Sequence, residues 1–247
     1  MCTASWLTRS GALSLFFNRD ELRNREAARP PERFATDGVS WLAPVDGRAG
    51  GTWIAAADSG LALALLNRSE GTPPARARSR GVLIPRLIAA GAPDELAGRL
   101  TAATLDHYPP FRLLALWHEA ERGLVAAWDG HQLDLDETDA ALGLLCSSGL
   151  GDERAARERG RVWARLRAER PAWDPAAHRD FHRDHRPEPS AWSVCVHRDD
   201  ARSVSFTEIE IDPRRVTLRY QGSPPCEDGR VHVATLARTA GGAAESL

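Results

Sequence analysis

Two features near the start of the chain have the right residue types for nucleophilic chemistry: Cys2, and the group Asn18-Arg19-Asp20-Glu21. Methionine aminopeptidase removes Met1 when a small residue follows, and Cys2 is small. The processed chain would then begin with a residue carrying both a thiol and a free α-amine. An α-amine titrates at roughly 7.7–8.0, so part of it is a neutral base near pH 7. One residue would thus supply nucleophile and proton acceptor. A second residue that merely suits translation is the plainer reading of the same position.

Asn18-Arg19-Asp20-Glu21 closes an apolar run that follows Ser10-Gly11. A hairpin around Ser10-Gly11 returns the end of the second strand to the neighbourhood of residue 2. Arg19, always protonated, would then set a fixed positive charge beside the thiol, and Asp20 would accept a hydrogen bond from the α-amine. A solvated strand end accounts for the same charges equally well. Downstream, Gly50-Gly51-Thr52-Trp53 permits close backbone approach or unusual dihedral angles, and Trp53 either fills the core or walls a pocket. His178, His182 and His185 share one face if their segment is helical, a spacing that suits a transition metal or haem. Arg179, Arg183 and Arg186 surround them, and the stripe reads as a solvated, partly buried helix face with no metal.

Composition narrows the chemistry. The 247 residues include 32 basic ones, every one of them Arg, because the sequence contains no Lys. Schiff-base, P-loop and kinase-type lysines are therefore excluded. The single Met is Met1, which leaves no thioether for axial ligation of haem. Cys2, Cys146, Cys195 and Cys226 are spaced too widely for a zinc knuckle or a small disulfide framework, and reduced thiols are expected. A net charge of −2 gives no reason to expect nucleic acid. The sequence shows neither a secretory signal pattern nor a membrane-length apolar run, so a cytoplasmic location is expected.

The elements that must position these residues follow from periodicity and turn chemistry. Strands are expected at 3–7, 12–18, 52–57, 61–67, 111–118, 123–128, 142–147, 193–197, 203–212, 215–220 and 230–236. Asp58-Ser59-Gly60 reads as a hairpin turn. Helices are expected at 81–90, 94–105, 152–169 and 174–185. Residues 24–40 and 69–79 read as long loops. The expected class is α+β, with one domain over 1–238 and a frayed tail over 239–247.

Met1-Cys2-Thr3, Asn18-Arg19-Asp20-Glu21 and the stretch "GGTWIAAADSGLALALLN" together resemble the NRDE family, which includes the transport and Golgi organization protein 2 group. The resemblance is strongest over about the first 70 residues and extends over most of the chain. It implies the N-terminal-nucleophile (Ntn) hydrolase fold, a four-layer αββα sandwich of two mainly antiparallel sheets flanked by helices. Cys-type members of that fold are conjugated bile acid hydrolases and penicillin V acylases. By that likeness Cys2 would attack an amide carbonyl, Arg19 would stabilise the thiolate, Asp20 would orient the α-amine and Asn67 would donate to the oxyanion. Local sequence allows Asn67 equally as a turn residue before Arg68-Ser69. Ser147-Ser148 stand where the acylases carry a second Asn, and Ala191-Trp192 where they carry an Arg.

Two functions follow as expectations. One is a cysteine hydrolase of non-peptide C–N (amide) bonds, acting through Cys2, Arg19, Asp20 and Asn67 on a small-molecule ligand without a cofactor. The other, implied by the transport and Golgi organization group, is a non-enzymatic carrier of haem or another hydrophobic ligand. The oligomeric state is not readable from the sequence.

Overall fold

The structure, a computed structural model, describes residues 2–170 and 172–239. In chain order the strands are β1 (Cys2–Arg9), β2 (Ala12–Leu22), β3 (Arg29–Thr36), β4 (Val39–Val45), β5 (Ile54–Ala57), β6 (Leu61–Asn67), β7 (Phe111–Trp117), β8 (Arg122–Trp128), β9 (Leu133–Asp139), β10 (Leu142–Ser147), β11 (Ala201–Ile211), β12 (Arg215–Gln221) and β13 (Val231–Ala237). The helices are α1 (Ile84–Leu87), α2 (Pro93–Thr101), α3 (Asp152–Glu169) and α4 (Pro175–Arg183). The strands form two antiparallel sheets, β10-β1-β2-β11-β12-β13 and β3-β4-β5-β6-β7-β8-β9.

Strand alternation sorts side chains into layers. In β6, Leu61, Leu63 and Leu65 belong to a cluster with Ile84, Leu87, Leu96 and Leu100 of α1 and α2. Ala62, Ala64 and Leu66 turn the other way and join Cys2, Ala4 and Trp6 of β1 with Leu13, Leu15 and Phe17 of β2 between the sheets. The outer face of the first sheet is covered by α3 and α4, with Leu166, Phe181 and Val194 at its apolar centre. The result is the αββα sandwich expected from the sequence. The β1–β2 connection turns on Ser10 and Gly11, both at positive φ (53° and 74°) as a two-residue hairpin of primed type requires.

Several expectations are corrected. Residues 24–40 are not one long loop: Arg29–Thr36 forms β3, paired with β4, a strand the periodicity had not suggested. β3 carries Pro30 and Pro31 at a register irregularity and is largely exposed, so it lacks the apolar alternation of a core strand. β9 escapes detection for a similar reason, since Leu133–Asp139 is an acidic edge strand. Ser193–His197 is not a strand and retains only a bridge between His197 and Arg202. Side-chain and loop donors take its backbone acceptors: Arg159 Nε takes Ser193 O (3.1 Å) and Asn18 Nδ2 takes Val194 O (2.9 Å). Residues 240–247 of the expected tail lie outside the described residues, as does Met1, whereas Thr239 N donates to Asp58 O (3.2 Å). No helix among the described residues is long and apolar enough to cross a membrane.

The histidine stripe is also corrected. His178 and His182 are fully buried rather than solvated, because i,i+4 spacing puts both on the face that α4 lays on the sheet. Ser5 Oγ lies 2.8 Å from both His178 Nδ1 and His182 Nε2, and the His178 ring stacks on Phe16 at 4.7 Å. Arg179 pairs with Glu208 (2.7 Å), which opposes Phe16 in register on the same face of the sheet.

Burial depresses the His178 pKa to about 3 and holds His182 well below its ordinary value. The unfolded chain takes up protons below about pH 6.5 that the folded chain refuses. The stability contributed by the neutral histidines is whole above that pH and is lost as pH falls towards the folded value. Each histidine adds up to about 1.4 kcal/mol per pH unit to the slope in this window. Urea denaturation at about pH 7 and pH 5 should show His178→Gln losing less stability on acidification than the unmodified chain; equal losses would place the sensitivity elsewhere.

Candidate active site

β1 is an interior strand, and its first residue sits between two partners in register: Cys2 opposes Arg19 of β2 on one side and Ser147 of β10 on the other. Residues directly opposed across an antiparallel ladder share a face. Cys2, Arg19 and Ser147 therefore face the inter-sheet side, where Cys2 and Arg19 line a cleft of about 570 Å³. Asn67, at the end of β6 in the other sheet, lines the same cleft. The structure thus brings Cys2, Arg19 and Asn67 to one cavity.

Alternation divides Asn18-Arg19-Asp20-Glu21 between two faces. Arg19 and Glu21 face the cleft, their side chains 3.8 Å apart. Asn18 and Asp20 face the helices. Asn18 Nδ2 ties down His182 O and Val194 O, each at 2.9 Å. Asp20 Oδ1 accepts from Ser203 Oγ at 2.6 Å, and its Oδ2 lies 3.6 Å from Arg159 Nη2. Of the four expected site residues, Asp20 alone has its carboxylate on the helix side.

The Arg19 guanidinium is clamped. Its Nη2 donates to Asp46 Oδ2, and its Cζ lies 4.1 Å from the centre of the Trp53 ring. Trp53 therefore fills core space and walls the cleft at once. Asp46 also takes Arg25 Nη2 at 2.9 Å and the backbone N–H groups of Arg48 and Ala49. Burial opposes its ionisation, but the Ala49 N–H and the two guanidiniums outweigh it and leave the Asp46 carboxyl below its ordinary range. Gly50 (φ 68°) and Gly51 let this loop lie directly on Gly81, and Thr52 N bonds Gly81 O at 3.1 Å. That contact sets Arg80 into the cleft wall.

Burial raises the Cys2 thiol pKa above its ordinary value. The sulfur is therefore a protonated thiol at neutral pH and needs a base to become a nucleophile. Burial likewise raises the Asp20 carboxyl, against the lowering pull of Arg159. Ser147 Oγ, beside Cys2, is buried with no hydrogen-bond partner among the described residues.

Sequence reasoning missed Arg159. It sits in α3, in a segment whose composition reads as an ordinary surface helix, yet it is completely buried. Its Nη1 donates to Cys2 O (3.1 Å), Thr3 Oγ1 (2.7 Å) and, at longer range, Ser147 O (3.4 Å), while Nε takes Ser193 O. The only signal in the sequence was its position on the apolar side of α3, with Ala155 four residues before it and Leu166 seven after. Asp46 was missed too, because a lone aspartate before a glycine-rich turn carries no distinguishing pattern.

The profile of the family Transport and Golgi organisation 2 matches residues 1–148, and the chain belongs to that family. Among curated proteins no sequence matches. Among solved structures, two variants of conjugated bile acid hydrolase from Clostridium perfringens superpose with TM-scores of 0.58 and 0.57 at 13% and 12% identity. The matches cover 95% and 94% of this chain and 92% of each hydrolase. An N-acylethanolamine-hydrolyzing acid amidase orthologue from Caenorhabditis elegans gives a TM-score of 0.55 at 12% identity, covering 84% of this chain and 92% of its own. These likenesses establish the Ntn-hydrolase fold.

Removing Arg159 would take the guanidinium away from Asp20 and from three backbone carbonyls. Arg159→Met should cost about 3–5 kcal/mol of stability. The double variant with Asp20→Asn should cost measurably less than the sum of the two singles, since the carboxylate that faces Arg159 is gone. Strict additivity in chemical denaturation would show that the two side chains are not coupled.

Proposed function

We propose that this member of the Transport and Golgi organisation 2 family is an Ntn-type cysteine hydrolase that cleaves the non-peptide amide bond of a small anionic substrate. The observation that carries the reading is the register of β1: Cys2 lies at the end of an interior strand, between Arg19 and Ser147, in a cleft that Asn67 enters from the opposite sheet.

In this reading, loss of Met1 exposes the α-amine of Cys2. The amine takes the thiol proton as sulfur attacks the amide carbonyl, which removes the need for a standing thiolate in a buried site. Asn67 donates its amide N–H to the oxyanion, and Ser147 Oγ is a second donor with no competing partner. Asp20, fixed by Ser203 and Arg159, holds the protonated amine. The α-ammonium then returns the proton to the leaving nitrogen, the C–N bond breaks, and the acyl group remains on Cys2 as a thioester. Water, deprotonated by the same amine, attacks the thioester and regenerates the thiol.

The anionic preference follows from the lining. Arg19, Arg25, Arg48, Arg78 and Arg80 line the cleft together with Glu21 and Asp46. Asp46 is committed to Arg19 and Arg25. Arg48 and Arg78, together with the part of the Arg80 guanidinium not bonded to Pro110 O (2.8 Å), are left to receive a carboxylate, sulfonate or phosphate. Carriage of haem or another hydrophobic ligand is the weaker reading, because the wall is dominated by charged groups and Cys2 is the single thiol or imidazole among the described lining residues.

Intact-mass measurement should find active protein lacking Met1. An acyl-type electrophile should then label Cys2, and Cys2→Ala should abolish both labelling and turnover. Label on Cys146, Cys195 or Cys226 but never on Cys2, or turnover by protein that retains Met1, would overturn the mechanism. With a cleaved substrate in hand, Asn67→Ala should lower kcat about 10²–10³-fold. Arg80→Leu should instead raise KM for anionic amides more than for their neutral esters.

A further inference from the structure

Away from the cleft, four side chains converge that the hydrolase reading does not use: His185, Cys195, His197 and Cys226. His185 lies just beyond α4, Cys195 and His197 on the segment between α4 and β11, and Cys226 on the β12–β13 connection. Their donor atoms all fall within 4.8 Å of one another. Cys195 Sγ is 3.5 Å from Cys226 Sγ, and each sulfur is 3.5 Å from His197 Nε2. The His185 and His197 rings meet edge to face at 5.1 Å. His185 Nδ1 is buried without a hydrogen-bond partner among the described residues.

We propose that His185, Cys195, His197 and Cys226 bind a structural zinc ion. Tetrahedral zinc with Zn–S of about 2.3 Å and Zn–N of about 2.0–2.1 Å requires its ligands to stand about 3.3–3.8 Å apart. The three distances of 3.5 Å already meet that spacing. Two thiolates and two neutral imidazoles balance the dication, which suits a site with little room for net charge. Arg23 and Arg202 lie near His197, but Arg202 is engaged by Glu227 at 3.4 Å, and the neutral zinc complex is not repelled. Soft N₂S₂ ligation in a tetrahedron favours zinc over magnesium or calcium. A disulfide is the competing use of the thiols, but it would need the sulfurs at about 2.05 Å and would leave both imidazoles without a role.

Four protein ligands leave no open position, so the ion would act as a staple. It would join the 184–197 segment to the β12–β13 connection. That segment is the one whose carbonyls at Ser193 and Val194 receive Arg159 and Asn18, and Val196 N bonds Ser203 Oγ at 2.9 Å. The staple would therefore position the Ser203–Asp20 pair from behind. The proposal does not depend on the hydrolase reading.

The test uses the full chain purified under reductant and without chelator. Elemental analysis should give one zinc per chain. Exchange with cobalt(II) should give the visible absorption of tetrahedral cobalt with a thiolate charge-transfer band, a readout that needs no variant to fold. Cys226→Ser, at a half-buried turn, should weaken metal binding about 100-fold or more, whereas Cys146→Ser should leave it unchanged. Zinc removal should lower the Tm of the unmodified chain. Absence of stoichiometric metal, a different metal at the site, an octahedral cobalt spectrum, or a Cys195–Cys226 disulfide persisting under reductant would each overturn the proposal.

Discussion

The first sheet and the helices over it are organised around a single buried guanidinium. Arg159 has no exposed surface, and a charge so placed is costly unless a counter-charge and hydrogen-bond acceptors surround it. Its partners come from four places: Cys2 and Thr3 of β1, Asp20 of β2, Ser147 of β10, and Ser193 of the segment before β11. None of these groups is well placed unless the others are. One side chain from α3 thus ties the first residue of β1, both strands beside it and a distant loop into a single arrangement, and the position of Cys2 is a consequence of it.

The first sheet has two unlike faces. Toward the other sheet, β1 and β2 present Ala4, Trp6, Leu13, Leu15 and Phe17, an ordinary apolar interior that ends at Cys2 and Arg19 where the cleft opens. Toward the helices, the same strands present Thr3, Ser5, Asn18 and Asp20, all buried and polar. Each meets a polar partner: Arg159 for Thr3 and Asp20, the two neutral histidines for Ser5, and two backbone carbonyls for the Asn18 amide nitrogen, whereas Asn18 Oδ1, His178 Nε2 and His182 Nδ1 are buried without a hydrogen bond among the described residues. A buried polar network tolerates little change, so it fixes geometry where apolar packing would allow sliding. Chemistry on one face is thereby supported by rigidity on the other.

Much of this was legible locally. The hairpin at Ser10-Gly11 follows from turn chemistry, and its length alone opposes Cys2 to Arg19. The bounds of α3 match its composition, and Asp174 caps α4 through the Ala177 N–H. Legibility failed where the usual signal is missing. β3 and β9 are edge strands, so they lack the buried face that produces alternation. Ser193–His197 has a strand's composition, but its carbonyls are claimed by Asn18 and Arg159, residues remote in sequence. The histidines misled because charge was averaged over the helix: Arg179 is neutralised by Glu208 and Arg183 is exposed, while His178 and His182 are buried.

The sequence by itself determined the β1–β2 hairpin, its register and the division of Asn18-Arg19-Asp20-Glu21 between two faces. These rest on dihedral preferences and a period of two, which act over a few residues, whereas the αββα class was implied by the resemblance to the NRDE family. Tertiary structure alone decided that Asp20 meets Ser203 and Arg159, that Asn67 reaches the cleft of Cys2, and that His185 leaves its helical neighbours to join Cys195, His197 and Cys226. Those encounters join residues tens to nearly two hundred positions apart. They are set by how buried charge and unpaired donors are satisfied when the layers close, a condition that no local stretch of sequence contains.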